Sequence, residues 1–239
     1  MYDSKKTYLV YGVSKGLGQA IIQTIPKPID QIYGISRTMP KILHNLTWIQ
    51  ADLSNPMQAT SIVKNIICTK KIDVLIYNVG IWENLAFTPD YNFQNVSANE
   101  ITTIINTNIT TCIQSIQSLI ENLKQSDNAK IILIGSTWGI DNHKATEVVF
   151  SATKFALRGI AHTLREILRE DSIGVSVLNL GYLASDYEYT IPTEQVLEKT
   201  QNLLIPISDA LQAIQFIIST SKATCVKEIL MPAMKDQNI

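Results

Sequence analysis

Gly12-Val13-Ser14-Lys15-Gly16-Leu17-Gly18 decides how this chain is read. It follows a short apolar run, Thr7–Tyr11, and opens a segment with helical spacing, Leu17–Ile25. Glycines here let the backbone turn tightly and approach a pyrophosphate. The helix that begins there offers unpaired N–H groups and the positive end of its dipole. Glycine spacing alone marks only a turn; its position between a first strand and a first helix is what points to a dinucleotide.

Outward from that turn, strand and helix signals alternate almost to the C-terminus. Short apolar runs predict buried parallel strands at Thr7–Tyr11, Gln31–Ile35, Thr47–Ile49, Val74–Tyr77, Lys130–Ile134, Val175–Asn179 and Glu228–Met231. Helical spacing predicts Leu17–Ile25, Met57–Ile67, Asn99–Lys124, Phe150–Arg169 and Ser208–Ile218. The alternation predicts an α/β fold: a doubly wound, Rossmann-type parallel sheet of about seven strands with helices on both faces. No linker, repeat or low-complexity tract divides residues 1–239, so a single NAD(P)-binding domain is expected. Two segments break the pattern: Trp82–Ala98, rich in Asn and aromatics, and Tyr182–Pro192 with its three tyrosines. Such connections read as binding loops, or in the first case equally as a solvated excursion.

Lysine and arginine number 20 against 21 acidic residues, a net charge of −1, which provides no general field for nucleic acid or anionic lipid. The stretch Met1–Thr7 holds no signal-peptide core, and no apolar run reaches membrane-spanning length, so a cytoplasmic location is expected. The three cysteines, Cys68, Cys112 and Cys225, are far apart among apolar residues and read as buried free thiols. His44, His143 and His162 lack ligand spacing, so no metal is expected.

The second strand ends at Ser36-Arg37, 18 to 19 residues past Gly18. A carboxylate there would hydrogen-bond the ribose 2′-hydroxyl of NAD, whereas an arginine accommodates the 2′-phosphate of NADP. Arg37 and the loop's Lys15 suit a phosphate carrying about −1.5 to −2 charges, so NADP(H) is the expected cofactor. Small or polar residues recur at other strand ends: Asp52-Leu53, Asn78-Val79-Gly80, Gly135-Ser136 and Gly181. Each alone is compatible with turn chemistry; together they mark the carboxyl edge where open α/β sheets bind ligands.

Asn108 falls on the apolar stripe of the predicted helix Asn99–Lys124. It reads either as a satisfied core amide or as an anchor for a water or a neighbouring backbone beside a site. Phe150 and Lys154 lie one turn apart on the next helix. Lys154 alone reads as a lysine whose stem covers apolar surface while its head reaches water.

Gly12-xxx-Gly16-x-Gly18, Asn78-Val79-Gly80, Asn108, Ser136 and Lys154 together resemble, in order and approximate spacing, the short-chain dehydrogenase/reductase family over nearly the whole chain. The resemblance implies an oxidoreductase that moves a hydride between NADP(H) and a carbonyl or alcohol substrate. It implies that Ser136 orients the carbonyl, Lys154 binds the nicotinamide ribose and lowers the pKa of a tyrosine, and Asn108 holds a relay water. Gly12, Ser14, Lys15, Gly16, Leu17 and Gly18 would then cradle the cofactor, with Arg37 at the phosphate and Asp52 and Leu53 at the adenine. Asn78, Val79 and Gly80 would line its path, and Gly181 and Leu183 would sit near the nicotinamide. The resemblance further implies a homodimer or homotetramer built on the two long helices.

The family's proton-donating tyrosine is missing: four residues before Lys154 stands Phe150, which keeps a ring and has no ionisable atom. Losing a placed general acid typically costs about 10²–10⁴ in rate. Three accounts follow: Phe150 was introduced into an otherwise active enzyme; Ser136, Tyr182 or Tyr187 supplies the proton; or the protein binds NADP(H) without turnover, as a sensor or interaction protein.

Overall fold

A computed structural model describes residues 5–41 and 44–237; Met1–Ser4, part of the stretch read for a signal peptide, lie outside the described residues. β1 (Thr7–Tyr11), β2 (Gln31–Ser36), β3 (Leu46–Gln50), β4 (Val74–Tyr77), β5 (Lys130–Ser136), β6 (Gly174–Leu180) and β7 (Glu228–Met231) form one sheet in the order β3-β2-β1-β4-β5-β6-β7. Every pairing is parallel. Strand order reverses between β1 and β4, where a crevice opens at the carboxyl edge.

Side-chain alternation along the strands sorts the core into two layers. Leu9 and Tyr11, with Leu75, Tyr77, Ile131 and Leu133, face α2 (Pro56–Ile67), α4 (Thr111–Leu123) and α5 (Val148–Ile167). Tyr8 and Val10, with Val74, Ile76, Ile132 and Ile134, face α1 (Gly16–Thr24) and α7 (Ile207–Ser219). A strand buried on both sides must be apolar at every position, which is why these runs are continuous rather than alternating.

The expected long helix Asn99–Lys124 is instead α3 (Ala98–Ile105), a π turn over Asn106–Thr110, and α4. The Thr111 N–H reaches back to Asn106 O, leaving Thr107 O free to accept the Tyr77 hydroxyl at 2.6 Å. Thr111 Oγ1 donates to Leu53 O at 2.7 Å, so the bulge ties this helix to the ends of β3 and β4. Such turns commonly sit beside functional sites.

One helix escaped the sequence reading, α6 (Thr193–Thr200). It buries only Val196 and Thr200 and so carries almost no apolar stripe. Its signal is Glu194 in the first turn and Lys199 in the last, complementing the helix dipole. All three cysteines are free, as expected, but only Cys112 is buried; Cys68 and Cys225 are exposed. Cys68 caps the end of α2 at φ +53°, where the apolar run Ile66-Ile67 belongs to the helix it ends, and Cys225 lies in the irregular stretch before β7.

Candidate active site

The crevice is a cleft of about 640 Å³. Lining it are Gly12, Ser14, Lys15, Gly16 and Leu17 from the β1–α1 turn, Arg37 after β2, Asp52 and Leu53 after β3, and Asn78, Val79 and Gly80 after β4. Ser136, Phe150, Lys154, Gly181 and Leu183 complete the part of the wall expected from the sequence. Gly18 and Asn108, also expected at the site, stand behind the wall.

The glycine turn shows why small residues are required. Gly12 has φ +79°, and a Cβ there would overlap the Asn78 carbonyl. A Cβ on Gly18 would overlap the Gly12 carbonyl, so Gly18 brings α1 against the β1 tip rather than facing the cleft. Asn78 Nδ2 donates to Gly12 O at 3.2 Å and locks the β4 tip to the turn. No side chain caps the N-terminus of α1, so its first N–H groups remain available toward the cleft. Lys15 and Arg37 are exposed on the rim, and among the described residues neither forms an ion pair. An open cradle, free amide donors and two unpaired cations fit a phosphorylated dinucleotide.

Asn108 is fully buried and fully used. Its Oδ1 accepts from Ile81 N at 2.9 Å, and its Nδ2 donates to Ile81 O at 2.8 Å and to Thr153 Oγ1 at 3.0 Å. It is therefore a satisfied core amide that also holds a neighbouring backbone: Asn108 fixes the chain leaving the β4 tip.

Lys154 does not snorkel. It is 4% exposed, and its Nζ donates to Ile134 O at 3.0 Å while lying 5.4 Å from the Phe150 ring centroid. Burial lowers its pKa from 10.5 to about 8. A stability trend follows from that sign. Below pH 8 both folded and unfolded chains carry the proton and the burial cost is present in full. Between pH 8 and 10.5 the folded chain has released a proton that the unfolded chain keeps, so stability rises with pH. Urea unfolding across this range should show the rise, and Lys154→Met should flatten it.

Ser136 ends β5 with its Oγ accepting from Trp138 N at 3.2 Å. Phe150 is buried among three rings: Trp82 and Phe87, each at 6.0 Å between centroids and both in the segment read as a binding loop, and Trp138 at 5.9 Å, which the sequence did not point to. Two buried carboxylates, also missed, hold this corner. Glu83 Oε1 accepts from Val149 N at 2.8 Å at the start of α5, where the helix dipole favours an anion. Glu147 Oε1 accepts from Phe87 N at 2.8 Å. Their sequence signal is faint: Glu83 follows the β4 tip within an aromatic stretch, and Glu147 immediately precedes an apolar helix.

Both irregular segments reach the cleft, through Trp82 and Phe87 and through Tyr182, Leu183, Ser185 and Asp186; Tyr187 and Tyr189 do not line it. Nor does the Ser151–His143 pair, with 3.0 Å between Oγ and Nε2. His143 Nδ1 accepts from Ala145 N, and Ser151 Oγ donates to Trp138 O, so in the neutral ring Nε2 is the donor and the pair contains no general base. Among the described residues no cluster of His, Cys, Asp and Glu could hold a metal, and no helix is long and apolar enough to cross a membrane.

The chain belongs to the short-chain dehydrogenase family of oxidoreductases, whose sequence model matches residues 6–195. It is similar over 234 residues to ketoacyl reductase HetN of Nostoc sp., at 26% identity, covering 93% of this chain and 79% of that protein. A short chain dehydrogenase family protein from Francisella tularensis superposes with a TM-score of 0.80 at 19% identity, over 95% of this chain and 97% of that one. A tyrosine-to-phenylalanine variant of ElxO with NADPH bound superposes with a TM-score of 0.75 at 18% identity, over 95% and 97% of the two chains.

Proposed function

We propose that this chain is an NADP(H)-dependent oxidoreductase acting on a small carbonyl or alcohol substrate, with turnover slowed because Phe150 stands where a proton donor is needed. One observation carries the reading: the uncapped start of α1 and the two unpaired rim cations, Lys15 and Arg37, share one cleft with Ser136 and Lys154. When bound, the cofactor supplies or accepts the hydride.

In this reading the α1 amides and Ser14 take the pyrophosphate, and Lys15 and Arg37 take the 2′-phosphate. Asp52 and Leu53 flank the adenine, and Asn78, Val79, Gly80, Gly181 and Leu183 line the way to the nicotinamide. The Lys154 ammonium donates to the nicotinamide ribose with hydrogens not spent on Ile134 O. Ser136 donates to the substrate oxygen, and Asn108 positions Ile81 and the loop beyond it. A protein of the same fold, the tyrosine-to-phenylalanine variant of ElxO, has NADPH bound.

The whole chain, 1–239, is proposed as one dinucleotide-binding domain in the cytoplasm. Exposed Ile105, Ile113 and Phe155 on α3, α4 and α5 support pairing of these helices in a homodimer or homotetramer. Sedimentation at micromolar concentration should show the assembly, and a monomer alone contradicts it.

Titrating NADPH against NADH tests the cofactor assignment. Arg37→Ala should weaken NADPH roughly 10–100-fold, the worth of one charge-assisted hydrogen bond at about 1.5–3 kcal/mol, and leave NADH unchanged. Equal affinities, or no loss in the variant, contradict the 2′-phosphate site. A second reading, a non-catalytic NADP(H)-binding protein, is favoured by the Phe150 ring itself, which is buried at the cleft wall and has no ionisable atom of its own.

A further inference from the structure

We infer that the substrate end of the cleft selects flat, ring-bearing ketones, and that Phe87, held in place by Glu147, is the residue that makes the selection. The inference rests on the reductase reading of the same cleft and adds its substrate class.

Five aromatic side chains line this end: Trp82, Phe87, Trp138, Phe150 and Tyr182. Phe87 is their hub. Its centroid lies 5.4 Å from Trp82, 4.7 Å from Trp138, 6.0 Å from Phe150 and 6.0 Å from Tyr182. Three of these contacts are edge-on, at interplanar angles of 71°, 86° and 79°. Ring edges and faces set at such angles offer complementary quadrupoles to a further flat ring, and less to a puckered saturated one of equal size.

The backbone supports a role beyond filling space. Phe87 has φ +65°, a left-handed conformation that bulky side chains seldom adopt. Residues held so tend to occur where the surroundings over-determine them at functional sites. The surroundings here are the Glu147 carboxylate, 3% exposed, whose Oε1 accepts the Phe87 N–H at 2.8 Å while Oε2 accepts Thr146 N at 3.0 Å. Glu147 ends the segment that leads into α5, so the helix bearing Phe150 and Lys154 also sets the ring opposite them. Despite this fixing, Phe87 is 40% exposed and Trp82 51% exposed, so apolar faces are left open beside the cleft rather than packed away.

The test is equilibrium binding of size-matched ketones, 2-acetylnaphthalene against 2-acetyldecalin and acetophenone against acetylcyclohexane. Binding is read by calorimetry and by quenching of tryptophan fluorescence, on the full chain with and without saturating NADP⁺. The flat member of each pair should bind about tenfold more tightly in at least one of these states. Phe87→Leu should reduce that preference about 3–10-fold, the worth of one ring–ring contact, with little change for the saturated ketones.

Glu147→Ala should remove the preference although Glu147 does not line the cleft, and Glu147→Gln, whose one amide oxygen can still accept the Phe87 N–H at the expense of the Thr146 N–H bond, should restore it in part. Phe87→Gly, which keeps the positive φ without strain, separates the ring from the fold: it should retain a cooperative melt and lose the preference. Equal binding of flat and saturated ketones in both states, or an undiminished preference in Phe87→Leu and Phe87→Gly, overturns the inference. NADP⁺ affinity, measured separately, reports on the cofactor reading and fails independently of it.

Discussion

Phe150→Tyr is expected to raise ketone-dependent NADPH oxidation by about 10²–10⁴, the usual worth of a placed general acid. The ring already stands on the cleft wall that bears Ser136, with the Lys154 ammonium 5.4 Å from its centroid. A hydroxyl added there enters the field of that ammonium, which favours the phenolate and lowers the phenol pKa. Lys154 itself sits near pKa 8 because burial opposes its charge, so it has a proton to exchange close to neutrality. Two controls define the effect. NADPH affinity, measured alongside, separates a gain in chemistry from a change in cofactor binding, and the gain should shrink in a Lys154→Met background. No gain across flat and aliphatic ketones alike would move the protein to the non-catalytic reading.

Gly12→Ala should have the largest effect on the fold. A Cβ at φ +79° costs about 1–2 kcal/mol in backbone strain, and the overlap with the Asn78 carbonyl adds about 1–3 kcal/mol of overpacking. A loss of roughly 2–5 kcal/mol is expected in urea unfolding, a large part of the stability of an ordinary domain. Because relief requires moving the β4 tip away from the turn, NADPH affinity should fall with it. Gly159→Ala is the matching control. Gly159 lies within α5, and an added Cβ meets nothing within 4 Å. That substitution should stabilise by about 0.5–1 kcal/mol and leave the cleft unaffected.

The contrast between these two glycines also shows what could be read from sequence. Gly12 was legible because its place between an apolar run and a helix gives it a backbone task. All seven strands were likewise legible: the five inner ones because strands covered on both faces are buried at nearly every position, and the half-exposed edge strands β3 and β7 through their short apolar runs. The same local signal misjudged Asn99–Lys124, because the π turn is imposed from outside, by Tyr77 reaching Thr107 O and by Asn108 grasping Ile81. It misjudged Cys68 for a different reason: the helix was read as ending at Ile67, but apolar neighbours do not reveal that the residue capping it is exposed.

At the site, residues at strand ends were found because position along the chain implies position at the carboxyl edge. Phe87, Trp138, Glu83 and Glu147 were not singled out, because what joins them is contact between distant chain positions, Phe87 with Glu147, Phe87 with Trp138 and Glu83 with Val149. No period links a loop phenylalanine to the carboxylate that fixes its backbone. Lys154 was located correctly and its environment was not: a lysine among apolar residues on a helix looks like a snorkelling one until β5 and its Ile134 carbonyl are in place.

If the α1 N-terminus, Lys15 and Arg37 receive one phosphorylated dinucleotide in the crevice between β1 and β4, a crystal grown with NADPH will show it there. The pyrophosphate is expected against the amides following Lys15, the 2′-phosphate between Lys15 and Arg37, and the nicotinamide end beside Lys154. An empty crevice, or NADPH bound elsewhere on the protein, would contradict this placement.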